Sequence, residues 1–199
     1  KLWDKTFGGS SDDGLTSLQQ TSDGGYILGG SSNSGISGDK SQASQGIDDY
    51  WVVKLDASGS KQWDKIFGGS GLDGLMSLQQ TSDGGYILGG YSDSGISGDK
   101  SQDCKGKQDY WVVKLDASGN KTWDKTIGGS GEDFLNSLQQ TSDGGYILAG
   151  DTDSGISGDK SESSKGSVDL WVVKLDISGN KIWDKTLGGS SSEFGPSIQ

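Results

Sequence analysis

The chain has 199 residues with a formal net charge of −11, one cysteine and no histidine. The acidic balance argues against a nucleic-acid partner and against anionic membrane surfaces, because both require basic residues on the protein. The lack of histidine excludes Ser-His-Asp and Cys-His nucleophiles and His-ligated zinc, and the lone cysteine can form no internal disulfide.

The sequence repeats itself every 60 residues. Trp3 recurs as Trp63, Trp123 and Trp183, each time within Lys-x-Trp-Asp-Lys. The run LQQTSDGGYILG begins at residue 18 and returns unchanged at residue 78. A repeat of this length is a supersecondary unit, so the pattern predicts an array or a ring of such units.

One unit, taken as residues 61–120, contains four short runs of β-branched and aromatic residues separated by glycine-rich turns. These runs predict strands rather than helices. The predicted strands are Lys61 to Phe67, Leu75 to Thr81, Tyr86 to Tyr91 and Asp109 to Asp116. An Asp-Gly hairpin turn joins the second and third strands, and a long polar loop from Ser92 to about Gln108 joins the third and fourth.

Four antiparallel strands per repeat are the content of one β-propeller blade. The run Tyr110-Trp111-Val112-Val113 is apolar on consecutive residues, so both faces of that strand are expected to be buried, as in a blade stacked between two neighbours. The predicted fold is therefore all-β, with three full blades and partial strands at both ends. A β-trefoil-like closed three-fold unit is the alternative.

The register of the repeats defines the expected organisation. Residues 1–13 form a partial unit with an outer strand, residues 14–73, 74–133 and 134–193 form blades, and residues 194–199 form a partial unit with an inner strand. Complete propellers contain about 4–8 blades. We therefore expect this chain to be part of a larger array or to meet copies of itself.

The run DYWVVKLDASGNKTWDKTIGGSGEDFLNSLQQTSDGGYILAG resembles the repeat of secreted and surface β-propeller proteins in bacteria that use type IX secretion. The likeness covers nearly all of the chain, and the Leu-Asp-x-Ser-Gly-x-x-x-Trp portion is also similar to the tryptophan-docking motif of quinoprotein-type propellers. The resemblance implies the fold and an extracellular or cell-surface setting. It implies little about a ligand, because such folds serve many functions.

In a propeller blade counted from its inner strand, the connection between the second and third strands opens on the same face as the connection between blades. In this sequence those two segments are the long polar loop and the Gly-Gly-Ser-x-x-Asp turn. Both segments carry acids here, so the sequence predicts an acidic ligand face. Its expected contacts from the inter-blade turns are Asp13, Asp73 and Asp133, with Glu193 at the equivalent position of the last unit. Tyr91, at the entrance of the second long loop, is the expected aromatic contact.

The long loops also suggest a calcium site, because closely spaced carboxylates, carbonyls and glycines suit a hard, oxygen-seeking cation. The candidate ligands are Asn33, Asp39, Asp93, Asp99, Asp153 and Asp159. The adjoining lysines, Lys40, Lys100 and Lys160, could neutralise the second acid of each loop. The alternative is that these side chains cap turns by accepting hydrogen bonds from backbone N–H groups.

Catalysis is not expected, and calcium is the one cofactor that the sequence suggests. Acids that recur once per blade share one environment, whereas a carboxylate pair for glycoside hydrolysis requires two different ones. Tryptophans could form a carbohydrate platform, but the default role of the Lys-x-Trp-Asp-Lys rings is docking between blades.

The sequence therefore favours a secreted or cell-surface binding or adhesion module without catalytic activity. Its expected partners are a glycan or a protein, with no nucleic acid and no membrane insertion. A structural spacer or self-assembling element of a larger surface protein is the alternative, which would bind copies of itself or further blades. An enzyme ranks third.

Overall fold

A computed structural model describes residues 3–195 and 197–198 and contains only β-structure. In chain order the strands are β1 (Asp13–Gln20), β2 (Tyr26–Ser32), β3 (Asp49–Leu55), β4 (Lys61–Phe67), β5 (Asp73–Gln80), β6 (Tyr86–Ser92), β7 (Asp109–Leu115), β8 (Lys121–Ile127), β9 (Asp133–Gln140), β10 (Tyr146–Thr152), β11 (Asp169–Leu175) and β12 (Lys181–Leu187). None of the described residues belongs to a helix that could cross a membrane.

The strands form three four-stranded antiparallel sheets, each a simple up-and-down meander. Sheet 1 contains β1 to β4, sheet 2 contains β5 to β8 and sheet 3 contains β9 to β12. Each sheet corresponds to one repeat, and the Lys-x-Trp-Asp-Lys strand is always the fourth. This arrangement confirms the predicted all-β, blade-like architecture.

Each hairpin between the first and second strands closes through a Thr-Ser-Asp-Gly-Gly turn. In sheet 1 the amide of Gly24 donates to the carbonyl of Thr21 at 2.9 Å, and Gly24 adopts a φ of +82° that L-residues rarely tolerate. The carboxylate of Asp23 caps the turn by accepting from the Gly25 amide at 2.9 Å. The same turn recurs in sheets 2 and 3, so the local sequence fixes the strand register.

The core lies between the sheets. Tyr50, Val52 and Phe67 on one face of sheet 1 pack with Leu75 and Leu78 of sheet 2, all of them buried. The equivalent residues form a second cluster between sheets 2 and 3. The middle sheet is therefore covered on both faces, as the unbroken apolar run of its third strand predicts.

Sheets 1 and 3 share no contact between their strands in the described chain, and each touches only sheet 2. The three repeats therefore do not close on themselves, and the closed trefoil-like alternative does not apply. The first strands of adjoining sheets lie next to one another, β1 beside β5 and β5 beside β9. This is the arrangement of consecutive propeller blades.

The ends differ from the predicted partial strands. Residues 3–9 contain no strand, because the outer strand of a sheet needs a third strand beside it and none of the described residues supplies one. The segment lies instead on the outward face of sheet 1, where Phe7 packs beside Trp51. The described residues 197 and 198 are likewise not a strand, and Gln199 lies outside the described residues.

Candidate binding face

The long loop between the second and third strands and the turn that connects consecutive sheets lie on the same face of the molecule, as expected. In sheet 1 the amide of Asn33 donates to the Asp12 carbonyl at 3.2 Å, and the Asp73 amide donates to the Asp48 carbonyl at 2.7 Å. We call the surface formed by the three long loops, residues 33–48, 93–108 and 153–168, the loop face.

Buried lysines fix each loop to the sheet beneath it. Lys40 is 3 % exposed, and its ammonium donates to Ser32 Oγ at 2.6 Å, the Ser34 carbonyl at 2.8 Å and Ser44 Oγ at 2.9 Å. Burial lowers the pKa of Lys40, against the opposing effect of nearby carboxylates led by Asp13. The lysine therefore points inward and is an anchor of the loop.

The second and third loops vary this anchor. Lys100 donates to the Gln102 carbonyl at 2.7 Å and to Thr126 Oγ1 at 2.6 Å, and Lys160 donates to the Glu162 carbonyl at 2.5 Å. In all three units the ammonium is enclosed by the protein. The predicted pairing of these lysines with Asp39, Asp99 and Asp159 is not among the ion pairs formed by the described residues.

The acids that were expected at a ligand face point into the structure. Asp73 is fully buried, and its Oδ2 accepts from the Gly69 amide at 2.7 Å and from Ser94 Oγ at 3.0 Å. Asp133 makes the equivalent bonds with Gly129 and Ser154. Burial raises the pKa of both Asp73 and Asp133. Their geometry fits the fixing of the inter-sheet turn rather than ligand contact.

Asp13 and Glu193, at the two ends of the array, also accept hydrogen bonds from the preceding inter-sheet turn. Asp13 is half-buried and accepts from the Gly9 amide at 2.7 Å and from Ser32 Oγ at 2.5 Å. Glu193 accepts from the Gly189 amide at 3.1 Å. Each acid therefore caps the Gly-Gly turn that precedes it.

A second row of buried carboxylates lies across each sheet, which the sequence analysis did not single out. Asp49 starts β3 and stands opposite Ser32, which in turn stands opposite Asp13. The Asp49 Oδ2 accepts from the Gln45 amide, while no described residue donates a hydrogen bond to its buried Oδ1. Burial, with a smaller contribution from Asp73, raises the pKa of Asp49 to about 6. Asp109 and Asp169 begin β7 and β11 in the same way.

The first residue of each predicted calcium set clamps the loop to the inter-sheet turn. The side-chain Oδ1 of Asn33 accepts from the Asp12 amide at 3.0 Å, that of Asp93 from the Leu72 amide at 2.6 Å, and that of Asp153 from the Glu132 amide. The amide oxygen of Asn33 and the carboxylate oxygens of Asp93 and Asp153 therefore accept the same backbone hydrogen bond. Because a neutral side chain serves as well as a charged one, this equivalence favours turn capping over calcium binding.

The second residue of each set, Asp39, Asp99 or Asp159, binds across a unit boundary. Asp99 Oδ2 accepts from Gln45 Nε2 of the preceding loop at 2.6 Å, and Asp159 forms an ion pair with Lys105 of the loop before it. Asp39 accepts from the Gly8 amide at 3.2 Å. The described residues contain no group of three or more Asp, Glu, Cys or His side chains that could hold a metal ion. The calcium prediction therefore has no geometric support and stays a prediction.

Tyr91 is half-buried rather than displayed. Its ring meets Phe134 of the next sheet edge to face, with centroids 4.9 Å apart, and burial raises the pKa of its hydroxyl. The tryptophans of the third strands, Trp51, Trp111 and Trp171, are buried, and the indole N–H of Trp51 donates to Asp64 at 3.3 Å. A sugar platform built on these rings has no support.

The loop face displays an apolar side chain that the sequence analysis missed. Ile36, Ile96 and Ile156 occupy the middle position of Ser-Gly-Ile-Ser-Gly in each loop and are 71 %, 65 % and 66 % exposed. The repetition of SGISGDK was the available signal. Isoleucine is normally a core residue, so burial was the default expectation for it.

The loop segment that carries this isoleucine is held by hydrogen bonds at residues on either side of it in the sequence. In the first unit Ser34 Oγ accepts from the Ser11 amide and Ser37 Oγ accepts from the Ser10 amide, both at 2.9 Å. A short bridge joins Ser37 to Lys40. The exposed isoleucine therefore stands on a fixed backbone, which reduces the conformational entropy that a partner would have to remove on binding.

No family model matches this chain, and no curated protein matches it either.

Proposed function

We propose that the chain is a binding or adhesion module of a secreted or cell-surface protein, without catalytic activity, and that it binds through the loop face. The observation that carries this proposal is the exposed isoleucine at the same fixed position in each of the three loops. An apolar side chain repeated on a rigid scaffold suits contact with a partner better than it suits solubility.

The partner that suits this surface is a protein segment with aliphatic and basic side chains. Isoleucine lacks the flat ring on which sugars stack, so the loop face fits an aliphatic group better than a glycan. The net charge of −11 favours a basic partner through complementary electrostatics. The extracellular setting rests on the sequence resemblance to surface propellers.

Selection of phage-displayed random peptides on the immobilised chain tests the proposal. We expect enriched peptides to combine aliphatic and basic residues and to bind in a salt-dependent manner. Replacing Ile36, Ile96 and Ile156 together by Ser should weaken binding by at least about tenfold, since each buried isoleucine contributes roughly 1.5–3 kcal/mol. The control is Ile177→Ser, which alters an isoleucine of similar exposure, 65 %, in the turn before β12.

Two results would contradict the proposal. Equal binding of the triple variant and the wild type would show that Ile36, Ile96 and Ile156 do not form the binding site. Failure to enrich any peptide, together with binding on a glycan array that survives the triple substitution, would replace the protein partner by a carbohydrate.

A second candidate function, a self-assembling structural element, is favoured by a different observation. The outward faces of sheets 1 and 3 expose large apolar side chains, among them Leu15, Leu18 and Leu187. This function would depend on the ends of the array rather than on the loop face.

A further inference from the structure

The two outward faces of the array expose residues whose counterparts are buried inside it. Leu15 and Leu18 of β1 are 59 % and 58 % exposed, whereas Leu75 and Leu78 at the same positions of β5 are 0 % and 6 % exposed. Leu187 of β12 is 52 % exposed, whereas its counterpart Phe67 is 5 % exposed. We call the outward side of sheet 1 the first-sheet face and the outward side of sheet 3 the third-sheet face.

These two faces are the separated halves of an interface that the molecule already forms twice. Within the array, one side of the interface carries Tyr50, Val52 and Phe67 of sheet 1. The other side carries Leu75 and Leu78 of β5 and Trp111 of β7, all in sheet 2. The third-sheet face has Leu170, Val172 and Leu187 in the first role. The first-sheet face has Leu15, Leu18 and Trp51 in the second.

We propose that the third-sheet face of one copy of this chain binds the first-sheet face of a second copy, head to tail, in the geometry of the internal sheet interfaces. The two surfaces are different, so the contact is heterologous and leaves one unused face at each end of a pair. It closes into a ring or continues as a chain according to the rotation between units. The occupant of each face is therefore the opposite face of another copy.

Polar groups at the internal interfaces support this register. Ser17 Oγ accepts from the Leu78 amide at 3.2 Å, and Gln19 Oε1 accepts from the Gln80 amide at 2.6 Å. The third-sheet face carries Ser137 and Gln139 at the same positions, where they would accept from the amides of residues 18 and 20 of a second copy. The contact would therefore be specified by hydrogen bonds as well as by apolar burial.

Both faces are partly covered by segments of the same chain. Trp3 meets Tyr26 at 5.7 Å between ring centroids, as Trp63 meets Tyr86 at 5.9 Å. At the other end the Ile198 amide donates to Ser137 Oγ at 3.1 Å, the bond that a second copy would make. Residues 3–9 thus occupy the place that residues 183–189 of another copy would take.

Association is consequently an exchange in which these covering segments move aside. Trp183 of one copy replaces Trp3 over Tyr26 of the other, and the net gain is burial of the exposed leucines on both faces. The terminal segments act as competitors that weaken self-association without preventing it. The charge of −11 on each copy opposes association too, and salt screens that repulsion.

Light scattering over a wide concentration range tests the pairing. We expect the mean mass to rise above 20.7 kDa with concentration and to rise further at higher salt. Two blocked variants separate the faces: Leu15→Lys with Leu18→Lys blocks the first-sheet face, and Leu187→Glu blocks the third-sheet face. The control Ile177→Glu changes an exposed isoleucine in the turn before β12, away from both outward faces and from the loop face, and should associate as the wild type does.

Each blocked variant should remain monomeric alone, whereas a mixture of the two should form a one-to-one pair and nothing larger. The altered side chains are exposed, so their melting temperatures should match the wild type and show that folding is intact. Weakening the competitor with Trp3→Ala and Phe7→Ala should strengthen association at least about tenfold, which corresponds to about 1.4 kcal/mol.

Three results would overturn the proposal. A wild type that stays at 20.7 kDa at every concentration and salt level would show that the faces do not bind each other. Dimerisation of either blocked variant alone would show pairing of like faces. A mixture of blocked variants that remains monomeric would show that the two intact faces are not complementary.

Discussion

The indole ring of Trp63 in β4 meets the ring of Tyr86 in β6 edge to face, with 5.9 Å between centroids and 68° between planes. Trp123 and Tyr146 repeat this contact at 5.8 Å and 67°. The tryptophan belongs to the fourth strand of one sheet and the tyrosine to the second strand of the next. The outer strands β4 and β8 are therefore each tied to the following sheet, which confirms the docking role expected for Trp63 and Trp123.

Removing a docked ring should destabilise the array. Trp123→Ala should lower the free energy of unfolding by about 2–4 kcal/mol, at or below the range for a fully buried aromatic because Trp123 is half-buried. Trp183→Ala is the matched control, since Trp183 is 43 % exposed, and it should cost below about 1 kcal/mol. Denaturant melting of both variants measures the difference. Equal costs would mean that the edge-to-face contact contributes nothing beyond the strand itself.

A buried hydroxyl also links the sheets. Tyr110 is fully buried, and its hydroxyl donates to the Trp171 carbonyl of the next sheet at 3.0 Å. Tyr110→Phe should cost about 1–2 kcal/mol, because the carbonyl would lose a buried donor. Leu170 holds the equivalent position on the outward side of sheet 3, so Leu170→Phe should change the stability of the monomer by less than about 0.5 kcal/mol. Thermal melting at low protein concentration compares the two, and a neutral Tyr110→Phe would contradict the assigned bond.

Local sequence patterns predicted the strands with little error. The predicted strand Lys61 to Phe67 matches β4, and Leu75 to Thr81 differs from β5 by two residues at its start and one at its end. These elements depend on alternation, β-branched residues and Asp-Gly turns, which act over a few neighbouring residues. The open arrangement of the sheets followed from the repeat length and the blade content.

The candidate site was less predictable because it depends on packing between units. Asp73 is hydrophilic and lies at the first position of β5, yet it is buried because the Gly68-Gly69 turn folds closely over it and donates an amide hydrogen bond to it. Ile96 is apolar, yet it is exposed in the second long loop. A residue type alone indicates only its usual environment, which is the surface for aspartate and the core for isoleucine. The actual burial of these two residues depends on how the loops and turns of neighbouring units pack, and the local sequence does not show that packing.

The stability of Asp93 variants distinguishes turn capping from calcium binding by the long loops. Its Oδ1 accepts from the Leu72 amide at 2.6 Å, a bond that an asparagine oxygen can also accept. Capping therefore predicts that Asp93→Asn is nearly neutral and that Asp93→Ala costs about 1 kcal/mol. Asn33 is the natural control, since it makes the same bond in the first loop.

The same variants decide the calcium prediction. If only capping operates, the melting temperature is the same in chelator and in calcium for the wild type and for both variants. A rise in melting temperature with calcium that Asp93→Asn removes would establish the metal site, because a ligand that binds only the folded state stabilises that state.

The buried carboxylates at the start of the third strands make stability depend on pH. Burial raises the pKa of Asp49 to about 6 and also raises that of Asp109, so the folded protein takes up these protons before the unfolded chain does as pH falls.

The pKa values of Asp83 and Asp184 shift in the opposite direction. Asp83 is exposed and Asp184 is buried, and the partial loss of water around each carboxylate acts to raise its pKa. Hydrogen bonds from Thr81 and Lys114 to Asp83, and from Lys181 and Ser161 to Asp184, outweigh this effect and lower each pKa to about 2. Their stabilising contribution is present above the unfolded pKa and is lost as pH falls below about 4.

The free energy of unfolding should therefore be greatest near about pH 4, should fall as pH rises from about 4 through 6, and should level off above that range. Asp49→Asn should remove part of this fall and raise stability at pH 7 by about 1–3 kcal/mol, because an unpartnered buried oxygen is replaced and no charge has to be buried. The asparagine oxygen can still accept from the Gln45 amide, so the loop anchor is kept. Asp12→Asn is the control, since it makes the same change in net charge at an exposed position. Urea unfolding at a series of pH values measures both effects. A stability that is flat from pH 4 to 7, or an Asp49→Asn variant less stable than the wild type at pH 7, would show that the Asp49 carboxylate is stabilised in its charged form.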